Sequence, residues 1–218
     1  MKKLYFVVVV LFAFTSCKKG EQVSGDNGCI SRIHRVNYHI STADSLTAVK
    51  MLQQNNIPYN SAYLDLEYIS TYNVANTDTI RSVFLIQEVN GLPILSGDLW
   101  YQFKNGIFQS LTNTKYSTVN LDTRPTRTLP QLRQLFLTAV DKYKNGNNLV
   151  STSPVGIRDS CVVAEFGYYD LNVNNPGQAP SFVKAWSVSP TPGSYPQAIF
   201  RDDNGKLILY NPGAVTLN

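Results

Sequence analysis

The sequence predicts an α+β fold made of two tandem units, each a helix packed on an antiparallel β-sheet. Helical periodicity appears twice, near residues 41–54 and 130–143, and each time β-rich runs follow it. Those runs are divided by Asn90-Gly91, Asn105-Gly106 and Asn204-Gly205, pairs that accept the positive φ of a tight hairpin turn. Residues 113–129 lie between the halves and are rich in Thr, Asn, Ser, Arg and Pro, which places a boundary near Asp122 to Thr128.

Residues 1–16 read as a secretory signal: Lys2-Lys3, an apolar run from Leu4 to Phe14 and small residues before Cys17. The run is too short to span a bilayer. Phe14-Thr15-Ser16-Cys17 resembles a bacterial lipobox, which implies acylation of Cys17 and a lipid anchor in the cell envelope. Leu is usual where Phe14 stands. Acyl chains contribute about 0.8 kcal/mol per buried methylene, so no transmembrane helix is needed for anchorage. The expected location is the outer membrane, on either face.

With Lys2 and Lys3 removed, the formal charge of +4 becomes +2, seventeen basic residues against fifteen acidic. That balance argues against nucleic acid as a partner. Cys29 and Cys161 remain after the signal. In an oxidising compartment they form either a disulfide, stabilising by roughly 4–5 kcal/mol in the chain-entropy model, or two buried thiols.

Residues 17–40 are expected to be a tether and N-terminal arm. Lys18 to Gly28 is polar and predicts a flexible stretch, and Ile30 to Ile40 alternates weakly as a strand or ordered arm. Residues 41–122 form the first unit. Ser41 and Asp44 mimic a capping box ahead of Leu46, Val49 and Leu52, and Asn55-Asn56 with Pro58 ends that helix. A half-exposed strand is predicted within Tyr59 to Tyr72, then a loop at 73–79 and a three-stranded meander from Arg81 to Thr112.

Residues 123–218 form the second unit. Pro130 suits a first helical turn, and Leu132, Leu135, Phe136, Ala139, Val140 and Tyr143 share one face before Asn145-Gly146. Strands are predicted at Cys161–Asp170, Phe182–Val188, Gln197–Arg201 and Lys206–Tyr210, the last two joined through Asp202-Asp203-Asn204-Gly205.

The run Asn90-Gly91-Leu92-Pro93-Ile94-Leu95-Ser96-Gly97-Asp98-Leu99 resembles the fungalysin/thermolysin propeptide motif. Ala164 to Tyr169, Phe182 to Val188 and Ala198 to Ile208, in that order, resemble a PepSY domain. Together the resemblance covers about residues 41–212 and implies cystatin/PepSY-like units. In secreted zymogens such a pair precedes a metalloprotease as folding assistant and inhibitor. The resemblance therefore implies a membrane-anchored, non-enzymatic, propeptide-like protein that binds a protein partner, an extracellular metalloprotease, in trans. The alternative is an envelope module that binds glycan or peptide through an aromatic groove.

Catalytic chemistry is not legible. The sequence holds no His-Glu-x-x-His, and His34 and His39 are its histidines, too few for a zinc site and poorly aligned at i, i+5. There is no Gly-x-Ser-x-Gly elbow, and Cys161 as nucleophile would need one of those histidines beside it. Asp65, Glu67, Glu88, Asp98 and Glu165 read as exposed strand faces rather than paired catalytic carboxylates. Asp170, Asn172 and Asn174 are spaced like calcium ligands, but Ser181 stands where a bidentate Glu belongs, so the stretch reads as a turn. No catalytic residue, metal or cofactor is assigned.

Overall fold

The computed structural model describes residues 22–25, 28–34, 41–58, 64–74, 78–146, 160–175 and 177–213. Across these the chain is α+β, with two helices and two sheets built mainly from antiparallel pairs. Strands β1 (Gln22–Gly25) and β2 (Gly28–Ile33) come first, then helix α1 (Thr42–Gln54). Next are β3 (Leu64–Val74), β4 (Asp78–Val89), β5 (Leu92–Pro93), β6 (Leu99–Lys104) and β7 (Ile107–Thr112). Helix α2 (Leu129–Gly146) precedes β8 (Val162–Asp170), β9 (Phe182–Ser189), β10 (Gln197–Arg201) and β11 (Leu207–Asn211). Five strands form one sheet in the order β3-β4-β6-β7 with β5 beside β4, and six form the other in the order β1-β2-β8-β9-β10-β11.

Local sequence explains most of these elements. Ser41 caps α1, its Oγ accepting from the Asp44 N–H at 3.1 Å and donating to the Asp44 carboxylate at 2.7 Å. Ala48, Met51 and Leu52 are buried against Val83, Leu85, Leu99, Tyr101 and Phe103 of β4 and β6. In α2, Leu129, Leu132, Phe136 and Val140 meet Val162, Ala164, Phe166 and Tyr168 of β8 and Trp186, Val188, Ala198 and Phe200 of β9 and β10. Alternation along those strands sends the neighbouring residues Tyr169, Ala185 and Ile199 to the opposite face. The first two Asn-Gly pairs have positive φ at each residue, 55° and 72° at Asn90-Gly91 and 51° and 82° at Asn105-Gly106, as a type I′ turn requires, whereas in Asn204-Gly205 only the glycine does, at 72°.

Two expectations change. The polar stretch Lys18–Gly28, expected to be a flexible tether, contains β1, and β2 runs parallel to β8 with Ile30 opposite Val162. Cys29 and Cys161 precede that register by one residue and are joined as a disulfide, closing a separation of 132 residues. Main-chain pairing along β8 needs no particular side chain, so composition could not reveal it. Ile30 supplies the apolar contribution, buried in the same core as α2.

The meander's middle strand is also broken. After two residues beside β4, the chain leaves at Pro93, Ile94 bridges in parallel to Tyr168, and pairing with β4 resumes at Leu99. The excursion crosses β8, where the Leu95 N–H donates to the Tyr168 carbonyl at 2.7 Å and the Asp170 N–H donates to Ser96 Oγ at 3.0 Å. Gly167 lies under the crossing, and a Cβ there would fall on the Pro93 carbonyl and the Leu95 side chain.

The segment that leads into α2 is pinned by a buried carboxylate. Asp202, fully buried in the β10–β11 turn, accepts from the Thr126 N–H and hydroxyl at 2.8 Å, the Arg127 N–H at 2.9 Å and Trp186 Nε1 at 2.9 Å. Lys184 Nζ lies 3.8 Å from the same carboxylate and donates to Asp122 at 3.0 Å and to the Arg124 carbonyl at 2.7 Å. The Arg124 N–H and then Lys184 hold the exposed Asp122 carboxyl below the usual carboxylate range.

Gly167→Ala should destabilise the protein by about 1–3 kcal/mol, because the group that must yield is main chain. The check is a lower urea midpoint in equilibrium unfolding, with the slope unchanged.

Candidate functional site

Among the described residues, the features suited to binding lie at the edge of the five-stranded sheet and in a cleft beside the segment that links the halves. The edge is β7, whose six residues are all exposed. Ile107 is 65% exposed, and Phe108 and Leu111 38% each. The strand carries no charge and no proline, two of the features that keep a sheet edge from pairing with another chain, and one bulge, at Gln109, interrupts its register with β6.

The turn ahead of β7 is held firmly. Asn55, at the C-terminus of α1, donates to the carbonyls of Met51 at 2.8 Å and Gly106 at 2.9 Å and accepts from the Phe108 N–H at 2.8 Å. Asn105 accepts from the Thr79 N–H at 2.8 Å and donates to Asp78 at 2.9 Å. Lys104 lies 2.8 Å from Asp78, and its hydrogen bond, then that of Asn105, lowers the Asp78 carboxyl below its ordinary pKa. The Phe108 ring leans on Tyr101 and Phe103, with centroids 6.3 and 6.1 Å away. An apolar, hydrogen-bonding edge is thus presented in one orientation.

The cleft has a volume of about 490 Å³ and is lined by residues 114–121 with Pro180 and Phe182. Side chains from β4, the turn after it and β8 tie the segment down. Gln87 Nε2 donates to the Thr114 carbonyl at 2.9 Å and its Oε1 accepts from the Tyr116 N–H at 2.8 Å. Asn90 donates to the Val119 carbonyl at 3.0 Å, and the Tyr168 hydroxyl to the Leu121 carbonyl at 3.1 Å. The Tyr116 ring stands edge-on to Phe182, centroids 4.9 Å apart, and its hydroxyl donates to Asp170 at 2.8 Å. Burial, and then the Asp170 carboxylate, push the Tyr116 phenol up to about 12.

The residues singled out from sequence scatter. Cys17 and His39 lie outside the described residues. His34 Nε2 is 2.8 Å from Glu88 Oε1 at an exposed position, while Cys161 is occupied in the disulfide. Asp170 behaves as a turn residue, Oδ1 accepting from the N–H groups of Asn172 at 2.9 Å and Ser181 at 2.7 Å. Trp186, Tyr168, Tyr101 and Tyr169 are buried, and Trp100 stacks on Phe84 at 5.4 Å. Those aromatics build core and cross-strand packing rather than line the cleft.

Sequence reasoning missed Gln87, Asp202 and the cleft. A single glutamine ending an apolar strand was visible, but its three hydrogen bonds join residues far apart in the chain. No family model matches the chain, and no curated protein matches it significantly.

The raised Tyr116 pKa has a defined pH consequence. An unfolded tyrosine loses its proton near pH 10 while the folded one holds it, so this stabilisation is complete below about pH 10 and falls as pH rises towards about 12. Tyr116→Phe should remove one late-titrating phenol from the tyrosinate absorbance curve. It should also lower stability at neutral pH by about 1–3 kcal/mol, since the buried Asp170 carboxylate loses a donor, with the deficit narrowing above pH 10. Tyr210, also pushed up to about 12 by burial, is common to both proteins and cancels in the comparison.

Proposed function

We propose that this is a lipid-anchored, non-enzymatic binding protein of the cell envelope, in which β7 receives an extended segment of a partner protein as an added strand. The observation that carries the reading is the open edge itself: Ile107, Phe108 and Leu111 exposed on an uncharged strand whose leading turn is fixed by Asn55 and Asn105. Strand addition supplies main-chain hydrogen bonds, and the exposed apolar side chains of Ile107, Phe108 and Leu111 supply selectivity.

The finer reading of the fold belongs with this proposal. The packing of α1 on β4 and β6 and of α2 on β8, β9 and β10 supports reading the chain as two helix-over-sheet units in tandem, the arrangement expected of paired propeptide-like modules. On that reading the partner is an extracellular metalloprotease, inhibited or assisted in folding in trans, and Cys17 carries the acyl anchor that keeps the module at the membrane. No helix among the described residues is long and apolar enough to cross a membrane. Fold kinship is analogy, so the edge strand and not the kinship bears the argument.

A double variant, Phe108→Lys with Leu111→Lys, should abolish retention of secreted metalloproteases in a pull-down with the full chain. Its unfolding midpoint should fall modestly, because the Phe108 ring leaves Tyr101 and Phe103, whereas Ile107→Lys, at the most exposed position of the strand, should weaken retention with the midpoint unchanged. Equal retention by parent and variant would reject β7 as the binding surface. For the anchor, mass spectrometry of the membrane-extracted protein should find acylated Cys17 at the mature N-terminus, and Cys17→Ala should release the protein from the membrane fraction.

A further inference from the structure

The cleft beside residues 114–121 has a property that the β7 reading does not use. No N–H or C=O group of these eight consecutive residues joins another main-chain group among the described residues. The bonds that hold the segment come from the side chains of Gln87, Asn90 and Tyr168, which take the Tyr116 N–H and the carbonyls of Thr114, Val119 and Leu121. The remaining main-chain groups are left to water or to a ligand. Anchored from behind and open in front, the segment is fixed without being paired.

The lining of the cleft narrows the ligand. Val119, Leu121, Pro180 and Phe182 give it an apolar side. Lys115 is exposed, and no hydrogen bond or ion pair among the described residues engages its ammonium. No carboxylate lines the cleft. Asp170, bonded to the lining residue Tyr116, also accepts from the turn N–H groups, and Asp122, next in sequence to Leu121, is engaged by Lys184 and the Arg124 N–H. A volume of about 490 Å³ falls within the usual span of ligand sites, roughly 300–1,000 Å³.

We infer that this cleft binds a short extended peptide bearing an acidic side chain. Its main chain pairs with the free N–H and C=O groups of residues 115–120, an apolar side chain rests on Phe182 and Pro180, and its carboxylate meets Lys115. Unpaired main chain favours a peptide over a saccharide, because a peptide alone presents donors and acceptors at the spacing of an extended strand. Lys115 sets the sign of the preferred charge. The site stands apart from β7 and does not depend on that edge binding anything.

The test uses the full chain in detergent micelles with a fluorescein-labelled octapeptide of alternating Val and Glu, followed by anisotropy and by hydrogen–deuterium exchange with mass spectrometry. Free protein should exchange rapidly through residues 114–121, apart from Tyr116, and peptide should slow that exchange with saturable binding. Lys115→Glu should weaken binding at least ten-fold. Lys115 supports nothing else in the fold, so the variant should keep the parent's circular dichroism. Equal binding of an alternating Val-Lys octapeptide would overturn the inference, as would protection by chitotriose without protection by the peptide. Protection confined to residues 107–112 would overturn it while leaving the β7 reading intact. No protection anywhere by the Val-Glu peptide would also reject the cleft.

Discussion

A main-chain carbonyl, that of Pro93, occupies the space where a side chain on residue 167 would project, and the two sheets meet through that close approach. Glycine lets the excursion of residues 92–96 lie directly on β8, so the Leu95 N–H reaches the Tyr168 carbonyl and Ser96 caps the Asp170 N–H. Ile94, fully buried, then joins the core of α2 and the six-stranded sheet although it belongs in sequence to the meander of the other sheet. One residue without a Cβ thus allows the two hydrophobic clusters to be built into a common body.

Burial of polar groups defines the rest of the junction. Gln87 and Asp202 are almost wholly removed from solvent, where an unmet hydrogen-bonding group costs about 1–3 kcal/mol. Their partners are therefore specified: Gln87 takes Gly97, Thr114 and Tyr116, and Asp202 takes Thr126, Arg127 and Trp186. Between these two anchors the chain from 114 to 127 is drawn across the molecule without entering a helix or strand. The same anchoring that replaces secondary structure there leaves main-chain groups free to face a ligand.

The surfaces proposed for binding share one physical basis. At β7 the unpaired groups belong to the rim of a sheet, and at the cleft to a segment that never joined one. In both places neighbouring side chains fix the backbone before any partner arrives, Asn55 and Asn105 in the first case and Gln87, Asn90 and Tyr168 in the second. Ordering costs that a flexible loop would incur on binding are thereby reduced. The parallel β2–β8 pairing and the Cys29–Cys161 disulfide tie the N-terminal strands into the fold in the same way.

Much of the architecture was legible from residue order. Ser41 with Asp44, the apolar stripe from Leu132 to Val140, and the Asn-Gly pairs located helices and turns correctly because capping, amphipathicity and positive φ act over a few neighbouring residues. Strands β8 to β11 followed from alternation for the same reason. Tertiary structure alone decided that polar residues 22–25 form a strand, that Pro93 leads the chain out of its meander over Gly167, and that Thr126 and Arg127 are held by the buried Asp202. It also decided which strand would be left at a sheet's edge. Each of these depends on contacts between residues distant in sequence, often through main-chain groups that every amino acid carries alike, and such contacts leave little trace in composition or periodicity.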